Sequence, residues 1–322
     1  MARKYGRFAK RLLFLVLGLL LIGCGPASPI QIGVRTANDH VPFYIADREG
    51  MYREAGLEVQ VHLVPSNTEI IEALQRGDFQ MGAVPVTTAI AAIDRGARLR
   101  IVAMTGRGSD GLLVRKEGGI ARWEDLRGKR IATIKASILD VLLRQALELH
   151  GLDPERDVTL VYFQKLGDMV SALKTGQVEA TSNTEPFMTD AVRQGWGSIL
   201  GYYTEQWPDH PCCVVLARED FLREHPREVE AILGVHVRAV ERAWEDPAYA
   251  ARVIVEYLQA FDPALVEASL APEKMRLDYA LSAGEILRMA QLMFRQGLLE
   301  HDPAGREFVD LGPLTRVLEG RR

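Results

Sequence analysis

Residues 69–82 (EIIEALQRGDFQMG) and 168–181 (DMVSALKTGQVEAT) align without a gap. Ala73, Leu74 and Gly77 fall on Ala172, Leu173 and Gly176, and the apolar pattern matches around them. Each block reads as a helix, a glycine stop and a strand. Each also sits in a longer alternation. Ile30–Arg35, Leu57–Val64, Phe79–Val84 and Leu99–Thr105 read as strands in the first run, with helices over Pro42–Glu49, Ile70–Gln75 and Val86–Asp94. Arg130–Ile134, Val158–Phe163 and Gln177–Thr181 read as strands in the second, with helices over Leu139–His150 and Asp168–Lys174. Strands alternating with helices demand parallel β-α-β units with right-handed crossovers. Two such runs predict an α/β chain of two similar lobes. The bland alternative is that helix-glycine-strand is a common local solution.

Local signals set the boundaries. Ser66-Asn67-Thr68-Glu69 is a capping box, in which a serine oxygen takes the amide three residues on and the glutamate reaches back. Pro85 opens the helix after the third strand, where a proline is harmless. Ser137-Ile138-Leu139-Asp140 resembles a second box with aspartate in place of glutamate. The last third is helical: Val229, Ile232, Leu233, His236, Val237, Val240 and Trp244 recur at helical spacing, and Pro247–Leu258, Tyr279–Leu299 and Leu311–Leu318 follow. His236 lies on the apolar stripe and reads as a core histidine.

The 322 residues are 48% apolar and 25% charged, which excludes wholesale disorder, collagen and a coiled-coil rod. A net charge of −4 gives no basic footprint for nucleic acid. Three cysteines are too few for a disulfide scaffold. The first 23 residues carry Arg3, Lys4, Arg7, Lys10 and Arg11 ahead of the apolar run Leu12–Ile22. That run is short for a bilayer span, which needs about 20 residues. Residues 1–23 therefore read as an export signal. Leu21-Ile22-Gly23-Cys24 resembles a bacterial lipobox, which makes Cys24 the lipidation position and residues 24–29 a tether. The other reading is an uncleaved anchor with an incidental cysteine. Both put the body outside the cytoplasmic membrane, and cleavage takes the charge from −4 to −9. A body there has no access to cytosolic ATP or reduced nicotinamide, which argues against most enzymes.

The run from Asn38-Asp39-His40-Val41-Pro42-Phe43-Tyr44 through Ala46 to Gly56-Leu57-Glu58-Val59 resembles the opening of the substrate-binding proteins of ABC importers in the nitrate, sulfonate, taurine and thiamine-precursor group. The pattern A-x-x-x-G-x-[FY]-x-x-x-G-L-x-V is filled from Ala46 to Val59. Trp123 to Ile131 resembles that family's DLKGK-I segment, and Glu185-Pro186-Phe187 its EP segment. The resemblance implies a type II periplasmic-binding-protein-like fold: two α/β lobes, a ligand cleft and hinge crossovers. It divides the chain into lobe 1 over 30–114, lobe 2 over 115–213 and a return to lobe 1 over 214–322. Leu112–Lys116 and Cys212–Arg218 are then the crossovers. A monomer that hands a small molecule to a permease is implied, with no cofactor, no metal and no catalysis.

Ligands in open parallel sheets sit beyond the carboxyl ends of the strands. The candidates are therefore Asn38, Asp39, His40, Phe43 and Tyr44 after the first strand, Asn67 after the second, and Thr87 and Thr88 after the third. Ser137, Asn183 and Glu185 occupy the matching places in the second run. Phe43 and Tyr44 can stack on a flat ligand. Each residue has an ordinary alternative in capping or loop solvation. Cys212 and Cys213 are adjacent on the predicted return. Neighbouring Cα atoms lie ~3.8 Å apart, below the usual disulfide span, so a vicinal bond needs a strained peptide. Two small buried strand residues is the alternative, and a soft-metal site with His210 a third reading that lacks a further ligand.

Gly106 to Gly111 matches G-x-G-x-x-G but runs into the strand-like Leu112–Arg115, where a dinucleotide site needs a helix. The sequence thus points to a lipid-anchored solute receptor of an importer. Aromatic and acidic residues near the first strand suit an uncharged or aminated flat ring, pyrimidine-like in size. An oxyanion binder, with Arg35 or Arg107 aimed into the cleft, is the alternative in the same fold. A pyrimidine-synthase-like enzyme and a sensory receptor are the rivals from other classes.

Overall fold

Ser66 accepts the Glu69 amide at 3.2 Å, and Gly77, at φ 91°, stops the helix between them. Only glycine adopts that left-handed turn without cost. The amides of Asp78 and Phe79 then fold back onto the Ala73 carbonyl, so the strand begins at Met81. The second block does the same: Gln177 and Val178 donate to the Ala172 carbonyl. Its strand is therefore Ala180–Thr184 rather than Gln177–Thr181.

The computed structural model describes residues 28–321. The expected export signal and Cys24 lie outside the described residues. The strands are β1 (Ile30–Val34), β2 (Val59–Leu63), β3 (Met81–Pro85), β4 (Leu99–Gly108), β5 (Asp110–Arg115), β6 (Arg130–Thr133), β7 (Thr159–Tyr162), β8 (Ala180–Thr184), β9 (Gly197–Tyr202), β10 (Pro211–Arg218) and β11 (Met275–Leu277). The helices are α1 (Val41–Arg48), α2 (Met51–Glu54), α3 (Asn67–Arg76), α4 (Val86–Asp94), α5 (Ile138–Leu149), α6 (Leu166–Lys174), α7 (Phe187–Arg193), α8 (Glu219–Glu224), α9 (Pro226–Glu245), α10 (Pro247–Tyr257), α11 (Pro263–Ser269), α12 (Ala283–Arg295) and α13 (Gly312–Glu319).

The strands form two sheets, ordered β11-β4-β10-β3-β1-β2 and β7-β6-β8-β5-β9. Read outward from β2 and β7 the orders correspond: two parallel strands flank a central one, then an antiparallel strand is inserted. That strand is β10 in the first sheet and β5 in the second. The repeat in the sequence is thus a repeat of topology. β5 lies wholly in the second sheet and β10 wholly in the first. The chain therefore changes sheet at the single residue Ser109 and again between Tyr202 and Pro211, not within Leu112–Lys116 and Cys212–Arg218.

The C-terminal helices cover the first sheet. α9 buries Val229, Ile232, Leu233, His236, Val237 and Val240 against β1, β3, β4 and α1, within one apolar cluster. Trp244, on the same stripe, is 45% exposed because its indole N–H reaches out to the Leu277 carbonyl at 2.9 Å. The helix expected from Tyr279 starts only at Ala283, where Ser282 and Glu285 form a full capping box. α12 packs on α4, and Gln296 just beyond it donates to the Val141 carbonyl of α5 at 3.0 Å, which ties the two halves together. Among the described residues no helix is long and apolar enough to cross a membrane.

Candidate functional site at the junction of the two sheets

β1 ends in a single 3-10 turn, Asn38–His40, buried where the two sheets meet. Ser269 donates its hydroxyl to the Val266 carbonyl at 2.6 Å, so it can only accept from Asn38 Nδ2 at 2.9 Å. That fixes the amide orientation and leaves Asn38 Oδ1 as a buried acceptor with no partner. Thr105 Oγ1 donates to the Asp39 backbone carbonyl at 2.6 Å and pins the turn. Gly106 makes room for it: a Cβ there would stand 2.3 Å from Asp39 Cβ. The Asp39 carboxylate consequently faces Cys212 and Cys213, and the three side chains have ligating atoms within 4.8 Å of one another.

Two adjacent strand residues normally point to opposite faces. The register of β10 against β4 shifts on both sides of Cys213, and this bulge lets both thiols share one side. Both cysteines are free thiols, so the vicinal disulfide that the sequence allowed is not formed in this structure. The mutual hydrogen bond and burial push the Cys212 thiol well up. Cys213 is pushed up to about 12, because burial and the charges of Asp39 and Asp110 outweigh the hydrogen bond from Cys212. Ser109 Oγ, on the crossing itself, lies 3.8 Å from Cys212 Sγ and 2.8 Å from Thr184 Oγ1.

Asp110 and His210 meet across the two crossings at 3.3 Å, both buried. Burial pushes the Asp110 carboxyl up, against the pull of His210. This uses His210, so it does not join the thiols as a metal ligand. Glu185, after β8, takes hydrogen bonds from the Tyr202 hydroxyl and the Thr189 amide, and burial still pushes it up. Arg107 is the one buried guanidinium or ammonium group among the described residues. It is fully engaged: Asp278 at 2.6 Å, Glu285 at 2.6 Å, and the carbonyls of Asp209 and Ala280. It cannot serve as the free arginine of an oxyanion site. Arg35, half-buried beyond β1, makes no ion pair among the described residues.

The other candidates divide. Phe43 and Tyr44 do not face the junction. Phe43 packs on His236 at 5.1 Å and Tyr44 stacks on Tyr257 at 4.3 Å, because α1 turns this face into the core under α9 and α10. His40 turns the same way. Its Nδ1 accepts from the Arg35 amide, which places the N–H on Nε2 of the neutral ring, and burial lowers its pKa. Asn183 is spent inside the second sheet on the Thr184 amide and the Leu166 carbonyl. Ser137 forms no box: its hydroxyl donates to the Ile134 carbonyl at 2.7 Å, and Asp140 instead takes the Ala136 amide at 2.8 Å. Asn67 Oδ1 and Thr87 Oγ1 are buried without partners at the carboxyl ends of β2 and β3, and Thr88 is half-buried beside them. The spacing of types gave no hint of Ser109 and Asp110, and it offered His210 only as a metal partner of the thiols. The one signal for the first two was a polar G-S-D-G between two apolar strands.

A groove of about 610 Å³ opens elsewhere, between α5 and α12, lined by Arg144, Glu148, Glu155, Leu292 and Arg295. Arg144 is already paired with Asp140 and Glu155 there. The junction, where polar atoms are buried and unpaired, is the better site.

Two similar α/β halves meeting over a polar junction, with chain crossings at its base, define the class of two-lobed periplasmic binding proteins. The solved nitrate-binding protein of Synechocystis shares this fold, with a TM-score of 0.79 at 16% identity, covering 92% of this chain and 89% of that one. The chain belongs to the NMT1-like family, whose model matches residues 25–258. That bears out the resemblance read from Ala46–Val59. A nitrate import ATP-binding protein of Synechocystis is 26% identical over 232 residues, 66% of this chain, and the chain spans only 34% of its length. A putative aliphatic sulfonates-binding protein of Bacillus subtilis is 29% identical over 238 residues, 69% of this chain and 70% of its own.

Proposed function

We propose that this protein is the extracytoplasmic solute receptor of an ABC importer, binding a small molecule between its two halves without transforming it. The observation that carries this reading is the buried junction fed by both sheets, with unpaired polar atoms at strand carboxyl ends. Such atoms are costly unless a ligand satisfies them. Ser109 and the 203–210 segment, crossing once each way, are natural hinges for closure by population shift. The relatives that carry a role in their names belong to importers or bind solutes, which supports binding over catalysis. The lipobox-like Leu21 to Cys24 supports anchoring at the envelope beside a permease.

The finer reading is an organic solute, uncharged or aminated, rather than nitrate or a simple sulfonate. Its support is Arg107, which is fully occupied by Asp278 and Glu285. Phe43 and Tyr44 lend nothing to a flat-ring ligand, since both belong to the core. Native mass spectrometry of fresh protein, followed by denaturation, is expected to release a small organic compound. A released oxyanion would overturn the finer reading; empty protein indifferent to a broad metabolite library would overturn the receptor itself. Arg35→Ala separates the two chemistries in solution: affinity for the released compound is expected to change less than about threefold, whereas an oxyanion held by Arg35 would lose tenfold or more.

A further inference from the structure

Six carboxylates are buried among the described residues: Asp39, Asp94, Asp110, Asp140, Glu185 and Asp278. Five have an N–H or O–H partner. Asp94 has Arg306 and the Glu300 amide. Asp110 has His210. Asp140 has Arg144 and the Ala136 amide. Glu185 has Tyr202 and the Thr189 amide. Asp278 has Arg107 and Arg276. Asp39 has none; its carboxylate lies beside the thiols of Cys212 and Cys213. Thiols are weak donors and carry no positive charge. A buried carboxylate so placed is left for something else to neutralise.

Its surroundings sharpen the chemistry. The next residue, Asn38, offers an unpartnered oxygen, fixed as an acceptor by the Ser269–Val266 bond. Asp110 is also an acid, acts on both Asp39 and the thiols, and is itself paired with His210 at 3.3 Å. The one buried guanidinium is committed elsewhere. What Asp39 and Asn38 present is therefore a pair of acceptors with no base of their own, since His210 is taken by Asp110.

We infer that the solute carries a cationic N–H head, an ammonium or amidinium, and that this head seats on Asp39 with Asn38 Oδ1 as second acceptor. The inference rests on the receptor reading and names its ligand class. Several N–H donors on one charged centre match a carboxylate and an amide oxygen side by side. An oxyanion at the same spot would meet the Asp39 carboxylate instead of a donor. Pinning by Thr105 and clearance at Gly106 hold Asp39 ready, which lowers the ordering cost of binding.

The test uses one ring in three charge states. Benzamidine, benzamide and benzoate are titrated into the whole protein by calorimetry, and into Asp39→Asn. Benzamidine is expected to bind roughly tenfold or more tightly than benzamide, with benzoate silent, and the Asn variant to erase the preference. The solute released in native mass spectrometry supplies a second readout: it should be cationic and absent from the variant, whose melting curve shows that it is folded. A neutral or anionic solute retained by the variant overturns the inference and leaves the receptor standing. Zinc chloride binding through the thiols, with all three rings silent, overturns it in favour of a metal ion. No binding of any probe together with empty protein overturns inference and receptor alike.

Discussion

Arg107→Met is expected to remove about 3–5 kcal/mol of folding stability while sparing the solute site. The guanidinium is 6% exposed at its side chain and bridges Asp278 and Glu285, each at 2.6 Å. Removing it leaves two carboxylates with no shared base, and two carbonyls, of Asp209 and Ala280, lose their donors. Arg276 still reaches Asp278 at 3.0 Å, but from a half-exposed position. Urea unfolding of wild type and variant gives the difference. Adding Asp278→Asn and Glu285→Gln to the variant should recover much of the loss, because the deficit is one of unpaired charge rather than of packing. The experiment also tests the site. If the variant instead kept its stability and lost its solute, Arg107 would have to face the ligand, and the oxyanion reading would return.

The same residue shows where the sequence runs out. Arg107 stands one strand-end away from the junction, and its neighbours in sequence give no sign that Asp278 and Glu285, far along the chain, will claim it. Long-range pairing of this kind has no local signature. Phe43 and Tyr44 fail for a related reason. They follow the first strand, where ligands gather, but the face of α1 that they occupy is decided by α9 and α10, which the chain lays down two hundred residues later. What the sequence carried well is periodic or capped: the β-α-β alternation, the Ser66 cap, the apolar stripe through His236. The repeat at 69–82 and 168–181 was legible because the same glycine turn ends the same helix in both halves. The Ser137 box failed because Asp140 found a closer amide at Ala136, a choice set by the bend at positive φ there. The sheet crossing at Ser109 was missed because two strands abut with one residue between them, and apolar periodicity does not register a change of sheet.

Acidification from pH 7 to pH 5 is expected to cost about 2 kcal/mol of stability through His236 alone. The ring is buried among α1 and α9, against Phe43, with Nε2 donating to the Met104 carbonyl at 2.8 Å. Burial lowers its pKa from 6.5 to about 4, although the bond to Met104 opposes the shift. The unfolded imidazole takes its proton near 6.5 and the folded one only near 4, so between those values the unfolded chain binds more protons. Stability from this residue is therefore full above about pH 7 and falls as the pH drops toward 4, by about 3 kcal/mol in all. His40, lowered by the same burial, adds in the same direction. Asp110 and Glu185 act oppositely: their carboxyls are raised, so their share is present at low pH and lost as the pH rises. The wild-type curve mixes all four. His236→Gln isolates one, since an amide keeps a donor for Met104 and does not titrate. The difference in unfolding free energy between wild type and variant should change by about 2 kcal/mol between pH 7 and 5. Parallel curves would mean that the imidazole titrates in the fold as it does in the open chain. The stripe of α9 would then not lie against Phe43, and the core behind the Asn38–His40 turn, which holds Asp39 in place, would have to be packed some other way.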